Sequence, residues 1–506
     1  MSAHHGSMRR FSAVLISGAL ASKLLGFARE VMMAHVLGAT LVADGFRAAM
    51  AAVLIPLAFL QNESVPAIMI PMHRQAMECD DAPRQLGALA IVVGLIATAL
   101  MATILVFGEW WIDAMVGGFS DQGRRLTLEF ARMMSLSMPA SAVLNVLAAG
   151  EIATARARLT NIRASVLNVA VLGGIGLMVL TGNSYALACS FTAAFNVLAA
   201  WGLFSLWRQG IISFSGITVK LVVATGADFF RRLRVILAVP LAEQANVWVE
   251  RLTASRLTTG AVASLDYARS LTESALLLIS QPVGMAVLSG HAPKDIHTRI
   301  ETLVRPLLAL TLPATAFLLV FSTDIVRLVY FRGAFGDEAL LLTSHALRGI
   351  AFGVWAATLG WILIRLLNGS GRNGVAAIVL VLAYLVNMAF NATTSIMHVA
   401  SDQGMLLLGL GEASRSLVLL VGVVLALEER RKILGLILLA MLPALLMATL
   451  GVLIQGAIAD LLLRLFVGGV TCLVCIAVAV AVLMPTIVPV ALNRVRRTFH
   501  VKGELG

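Results

Sequence analysis

Ionised side chains recur inside the apolar stretches of this chain, and they recur in order. Asp44 and Arg47 are repeated at the same spacing as Asp266 and Arg269, 222 positions later (266−44 and 269−47). The same offset carries Arg29 onto Arg251 and Gly38 onto Gly260. Charge inside hydrocarbon is costly, so membrane segments keep it chiefly on an internal surface that uses it. Asp266, Arg269 and Glu273 form an i, i+3, i+7 ladder of alternating sign on one helical face. Arginine suits phosphate because its planar guanidinium makes paired hydrogen bonds. Acids beside it keep the grip loose enough for release. The chemistry on offer is reversible binding of an anion.

A second group precedes the first pair. In Ser22-Lys23-Leu24-Leu25-Gly26-Phe27-Ala28-Arg29-Glu30, positions 23 and 30 are seven apart and share a helical face, with Arg29 displaced around the helix. Lys23 and Arg29 can border a broad polar cavity. The competing reading is a buried Arg29–Glu30 or Lys23–Glu63 ion pair that only joins helices. Gln61-Asn62-Glu63-Ser64, with Pro66 and Pro71 behind it, reads as an unwound stretch lining a cavity. Glu243-Gln244-Ala245-Asn246 is a comparable polar patch. Glu412 and Arg415 are i, i+3 and read as a structural pair, and Glu151 is expected to be solvated near a cytoplasmic end. Cys472 and Cys475 form a C-x-x-C inside an apolar helix, where packing is the expected role.

The elements that must position these residues follow from composition. Of 506 residues, 59% are hydrophobic and 13% charged, with a mean hydropathy of +0.92. That balance describes an all-α polytopic membrane protein. Runs of about 20 apolar residues give fourteen candidate spans, near 11–36, 43–71, 87–107, 127–150, 160–181, 185–207, 233–251, 262–289, 303–321, 340–367, 374–395, 404–427, 433–455 and 461–491. The first, second, seventh and eighth are unusually polar. Cations crowd alternate loops, as at Arg156 and Arg158, Arg231 and Arg232, and Arg430, Arg431 and Lys432. This places both termini in the cytoplasm. The net charge of +11 belongs to these loops and does not point to nucleic acid. No cleavable leader is expected, since no small-residue cleavage site follows the first apolar run.

With an offset of 216, Arg132 falls on Arg348 and Arg156 on Arg372. Spans one to six and seven to twelve therefore read as two pseudo-symmetric six-helix lobes, residues 1–210 and 211–428, related by an axis along the membrane normal. Residues 429–506 add a C-terminal helix pair and a tail. Neither G-x-x-x-x-G-K-[ST] nor H-E-x-x-H occurs, and no catalytic residue, metal ligand or cofactor is expected apart from a coupling cation of unknown identity.

Several motifs resemble the MurJ/MviN lipid II flippases. Residues 22–30, then Gly38-Ala39 and Ala43-Asp44-Gly45-Phe46, are similar to that family's S-R-x-L-G-F-x-R-D, F-G-A and a-D-A-F. Leu265-Asp266-Tyr267-Ala268-Arg269 resembles its N-Y-A-D-R, and Arg332-Gly333-Ala334-Phe335 its R-G-A-F loop. The resemblance implies the fold of the multidrug/oligosaccharidyl-lipid/polysaccharide exporter superfamily, with two lobes around a cationic cavity and a groove for a lipid tail on the last two helices. It implies a monomeric flippase of the bacterial cytoplasmic membrane, moving an undecaprenyl-diphosphate-linked saccharide by alternating access. Essential cavity cations carry over to Lys23, Arg29 and Arg269, and a cavity aspartate to Asp44. Arg47 and Arg251 would join in attracting the diphosphate. Asp44, Glu63, Asp266 and Glu273 would tune release or bind the coupling cation.

The chain departs from that pattern where the family has R-R-x-F-A-E-G-A-F-S-x-A-F-V-P. Here the stretch from Leu57 to Pro71 lacks the double arginine and displaces the glutamate to Glu63. Arg47 replaces an apolar residue, and Arg269 stands one position before the family's arginine. A rewired cavity implies a different saccharide headgroup. The alternatives are a cation-coupled exporter of small amphiphiles and an inactive flippase-derived scaffold. An enzyme would need a larger outer loop than residues 108–126.

Overall fold

The computed structural model describes residues 22–61, 64–77, 81–154, 156–234, 236–273, 296–397 and 399–485. Every regular element among them is an α-helix. In chain order these are α1 (22–37), α2 (Leu41–Leu54), α3 (Ala58–Gln61), α4 (Ser64–Met77), α5 (Ala82–Val116), α6 (Asp121–Ser135) and α7 (Met138–Ala153). Next come α8 (Arg158–Thr181), α9 (Tyr185–Arg208), α10 (Val219–Leu233), α11 (Ala238–Ser255), α12 (261–273) and α13 (Ile296–Val320). The series ends with α14 (Ser322–Tyr330), α15 (Asp337–Ala351), α16 (Val354–Gly369), α17 (Asn373–Ile396), α18 (Ser401–Ala426), α19 (Arg430–Ala457) and α20 (Leu461–Leu483). A backbone in lipid has no water to bond, so intra-helical hydrogen bonds are the economical solution for apolar runs of this length.

Eight of the described helices are long and apolar enough to cross a membrane, and two bent pairs, α6–α7 and α15–α16, raise the number to ten. The expected count of fourteen is not reached by this criterion. The four missing spans are the four polar ones. The first and eighth extend beyond the described residues, α11 carries Glu243, Glu250 and Arg251, and the second is broken. A break lies at 55–57, where Pro56 has no N–H to continue the ladder. Of the stretch 61–64 expected to break the span, Asn62 and Glu63 lie outside the described residues.

Two compact units divide the chain: Met1–Ala263 with Arg332–Ala339, and Ser264–Phe331 with Leu340–Gly506. In the first, α5 packs on α7, α8 on α9, and α2 on α6, while α10 and α11 lie against α5. In the second, α18 packs on α17 and α16, and α13 carries both α19 and α20. Neither α10 nor α14 is evident from apolar run length, because both are short and polar on one face.

Element boundaries reproduce the repeat. The pairs α6–α7 and α15–α16 begin and end 216 residues apart (337−121, 351−135, 354−138 and 369−153), and each pair bends by 45°. The 35-residue α5 kinks at Phe107, and the stretch α13–α14 breaks at Phe321, 214 positions on (321−107). Sharp kinks need a local cause, and a break placed twice at the same residue type marks one design written twice.

Candidate functional site

Charges of the first unit assemble around Glu30. One of its carboxylate oxygens accepts Arg29 Nη2 at 2.5 Å, and the other accepts Arg47 Nη2 at 2.5 Å. Arg29 also donates through Nη1 to Asn168 Oδ1 on α8 at 3.0 Å, and Asn168 Nδ2 donates to the Ser22 carbonyl. The side chains of Arg47 and Glu30 are 3% and 6% exposed, that of Arg29 20%. Arg29 is therefore the accessible cation of the group and Arg47 its buried support. Gly26 turns its backbone toward Asn168, leaving room for the amide.

Asp44 is fully buried. Its Oδ2 accepts the Gly260 N–H at 2.5 Å and its Oδ1 the Ala263 N–H at 2.7 Å. The first turn of a helix has unpaired N–H groups and a positive dipole end, which a carboxylate satisfies. Asp44 thus caps α12. Gly260 has φ +89°, and a Cβ there would lie 2.4 Å from the Ala39 carbonyl oxygen. Only glycine fits this meeting of the two repeat turns. Its counterpart Gly38, at φ +60°, faces Ala334 of the Arg332-Gly333-Ala334-Phe335 loop, whose Ala334 N–H donates to the His35 carbonyl at 2.8 Å. Arg251 is buried nearby, with Nη1 reaching the Val262 carbonyl at 3.4 Å. Lys23 stays exposed on α1.

The second unit holds a cavity of about 390 Å³. Three helix faces supply most of its wall, with Ile350 of α15 and Gly353 beside them. Arg269, Thr272 and Glu273 come from α12; Val354, Ala357, Thr358, Trp361, Ile362 and Arg365 from α16; Glu412, Arg415 and Ser416 from α18. Within each helix these positions follow the i, i+3, i+4 spacing of one face. Arg269 Nε donates to Glu412 Oε2 at 3.0 Å, and Arg415 Nη2 to Glu412 Oε1 at 3.2 Å. Asp266 sits 3.9 Å from Arg269 Nη1. Arg415 also lies over the Tyr384 ring, 5.5 Å from its centroid. Close approach of α15 to α18 sets the carboxylate in place: Cβ atoms on Gly349 and Gly409 would lie 2.4 Å from the opposite helix's carbonyl oxygens.

Of the residues expected from sequence, the structure brings Arg269 and Glu273 into this cavity, with Asp266 beside Arg269. It brings Arg29 and Arg47 together on Glu30. The Arg29–Glu30 ion pair, the competing reading from sequence, is present. Sequence reasoning missed Arg47 as the second partner of Glu30, Asn168 as the brace of Arg29, and Arg365 and Trp361 as cavity walls. It read Glu412–Arg415 as a structural pair, whereas Glu412 holds Arg269 too. The seven-residue phasing on α16 from 354 to 365 was the available signal. Glu151 is buried, not solvated: its carboxylate turns back to accept the Leu159 N–H at 2.7 Å near the start of α8. Cys472 and Cys475 are buried in packing.

Comparison with known proteins follows the same lines. A family model described as Lipid II flippase MurJ matches residues 33–484. The probable lipid II flippase MurJ of Rhizobium tropici is 27% identical over 376 residues, covering 68% of this chain and 68% of that protein. Its counterpart from Aquifex aeolicus (strain VF5) is 23% identical over 356 residues, covering 69% and 70%. Among solved structures, lipid II flippase MurJ in an inward closed conformation superposes with a TM-score of 0.78 at 17% identity, covering 92% of this chain and 99% of that one. An inward-facing multidrug resistance MATE family transporter of the MOP superfamily gives 0.59 at 16% identity, covering 82% and 95%. The two superpositions establish a shared fold.

Proposed function

Because this chain belongs to the lipid II flippase MurJ family, we propose that it flips a polyprenyl-diphosphate-linked saccharide, lipid II or a related cell-envelope precursor, across the cytoplasmic membrane. The observation that carries this reading is the family match across residues 33–484. The protein is a transporter, not an enzyme, and works by alternating access between lobes 1–210 and 211–428. Residues 429–506 provide the apolar helix pair that accommodates the lipid tail. Both termini lie in the cytoplasm, and a membrane potential or an ion gradient supplies the drive.

The roles divide by exposure. Lys23 and Arg29 on α1, and Arg269 on α12, are each candidates to attract the diphosphate. Arg47 and Arg251, both buried, position their neighbours. Glu412 and Glu273 weaken the hold on the anion so that it leaves, because a guanidinium shared with a carboxylate binds a second anion less tightly. Asp44 serves as the cap of α12 and does not couple an ion. Complementation tests the cargo directly. Expression in cells depleted of their lipid II flippase restores growth if the cargo is lipid II. Lysis despite protein in the membrane contradicts that cargo.

A further inference from the structure

The cavity of the second unit contains two guanidinium groups that its own carboxylates leave largely uncommitted. Among the described residues Arg365 makes no hydrogen bond or ion pair, and Arg415 makes one hydrogen bond, to Glu412. Each guanidinium carries five N–H donors in a planar fork. The volume of about 390 Å³ falls in the range of small-ligand sites, roughly 300–1,000 Å³. Trp361, part-way along α16 between Thr358 and Arg365, adds an exposed aromatic face to the same wall.

These side chains are not demanded by the scaffold. The offset of 216 between α7 and α16, and between the starts of α9 and α18, places Asn145 and Ala149 at the positions of Trp361 and Arg365. It places Asn196 and Ala199 at those of Glu412 and Arg415. The first copy of the repeat folds with neutral residues at all four points. The second copy carries two cations, an acid and an indole there, which packing alone does not call for.

We propose that this cavity is a phosphate-binding subsite in which Arg365 and Arg415 are the ligands and Glu412 is the displaceable competitor. This inference rests on the flippase reading only for the source of the phosphate, and it stands or falls by binding, without transport. The group recognised is a phosphate or diphosphate ester. It enters beside Arg365, pairs with its unoccupied fork, and displaces Glu412 from Arg415 and then from Arg269. No bond is made or broken: one anion replaces another on the same donors. Trp361 lies against whatever follows the phosphate, which suits a sugar ring or a prenyl chain. Glu412 sets the affinity, because full pairing of both arginines with an incoming anion requires the carboxylate to yield.

Tryptophan fluorescence of the full-length protein in phosphatidylcholine nanodiscs tests this, with Trp361→Phe identifying the responding indole. Inorganic pyrophosphate is titrated in one arm, and phosphatidic acid replaces part of the phosphatidylcholine in the other. The expected result is a saturable response absent from Trp361→Phe. Arg365→Gln and Arg415→Gln weaken it at least about tenfold each, the loss of one charge-assisted hydrogen-bonded partner, and Glu412→Gln strengthens it. A response to pyrophosphate points to a headgroup read by its phosphates alone, and a response confined to phosphatidic acid to a lipid-borne phosphate. Either supports the subsite. Absence of saturation in both arms, or equal affinity in wild type and Arg365→Gln, overturns it. Arg365 is exposed, so its replacement leaves the fold intact and a null result is interpretable. Failure of the flippase reading would appear in transport assays while this binding persisted.

Discussion

Phe321 stands at the point of the repeat that Phe107 occupies 214 residues earlier, and the two have opposite surroundings. Phe107 is 62% exposed, Phe321 fully buried. The difference is the C-terminal helix pair. Gly451 of α19 and Gly468 of α20 face the Phe321 ring, and a Cβ on Gly468 would lie 2.6 Å from its tip. Around it, Arg464 Nη2 pairs with Asp324 at 2.5 Å and Gln455 Nε2 donates to the Val320 carbonyl at 2.6 Å. The break in α13–α14 thus serves as the socket for the two added helices. Its twin in α5 keeps the kink and presents an apolar surface.

This socket predicts unequal effects for equal substitutions. Phe321→Ala should cost about 3–5 kcal/mol, as for a buried aromatic, whereas Phe107→Ala should stay within about 0.5 kcal/mol. Thermal unfolding of the purified protein in detergent measures both. Equal effects would show that α19 and α20 are not anchored at this residue.

Glu30 is the hub of the first-unit cluster, so Glu30→Gln should be more damaging than Arg29→Gln. Removing it takes from the buried Arg47 a carboxylate held at 2.5 Å, and breaking a buried ion pair costs up to about 3–5 kcal/mol. Arg29 is part-exposed and its loss leaves the Glu30–Arg47 pair in place. The double variant Glu30→Gln with Arg47→Met should recover part of the stability lost in the single one. Denaturation midpoints of these variants and of Arg47→Met alone decide the matter, and a double variant whose loss equals the sum of Glu30→Gln and Arg47→Met would contradict the pairing.

Asp44 caps α12 through two backbone N–H groups. Asp44→Ala should lose about 2 kcal/mol or more of stability, at the upper end for a cap. Asp44→Asn keeps one acceptor and should lose roughly half of that. If Asp44 instead coupled an ion, the asparagine variant would be stable yet inactive. Transport measured beside unfolding temperature separates the two.

Much of the architecture was legible in the sequence because hydrocarbon imposes long apolar runs, and ten of the expected spans are helices or bent helix pairs that meet that requirement. The repeat was legible from Asp44–Arg47 and Asp266–Arg269 alone, and element boundaries at constant offset carry it through α16. Pairs close in sequence, Arg29–Glu30 and Glu412–Arg415, were legible, but longer-range partnerships were not. The separation of 17 between Glu30 and Arg47, and of 143 between Arg269 and Glu412, depends on helix rotation that run length does not encode. Asp44 illustrates the limit. Its identity announced importance, but a cap and a cavity acid have the same sequence signature.

Flipping of a fluorescent polyprenyl-diphosphate-linked saccharide in reconstituted proteoliposomes tests the central claim most directly. Arg29→Ala and Arg269→Ala, each verified by unfolding temperature, should reduce transport to the level of protein-free vesicles. Each leaves the other partner of its carboxylate in place, Arg47 on Glu30 and Arg415 on Glu412, so the fold survives. Wild-type flipping by both variants would contradict the account.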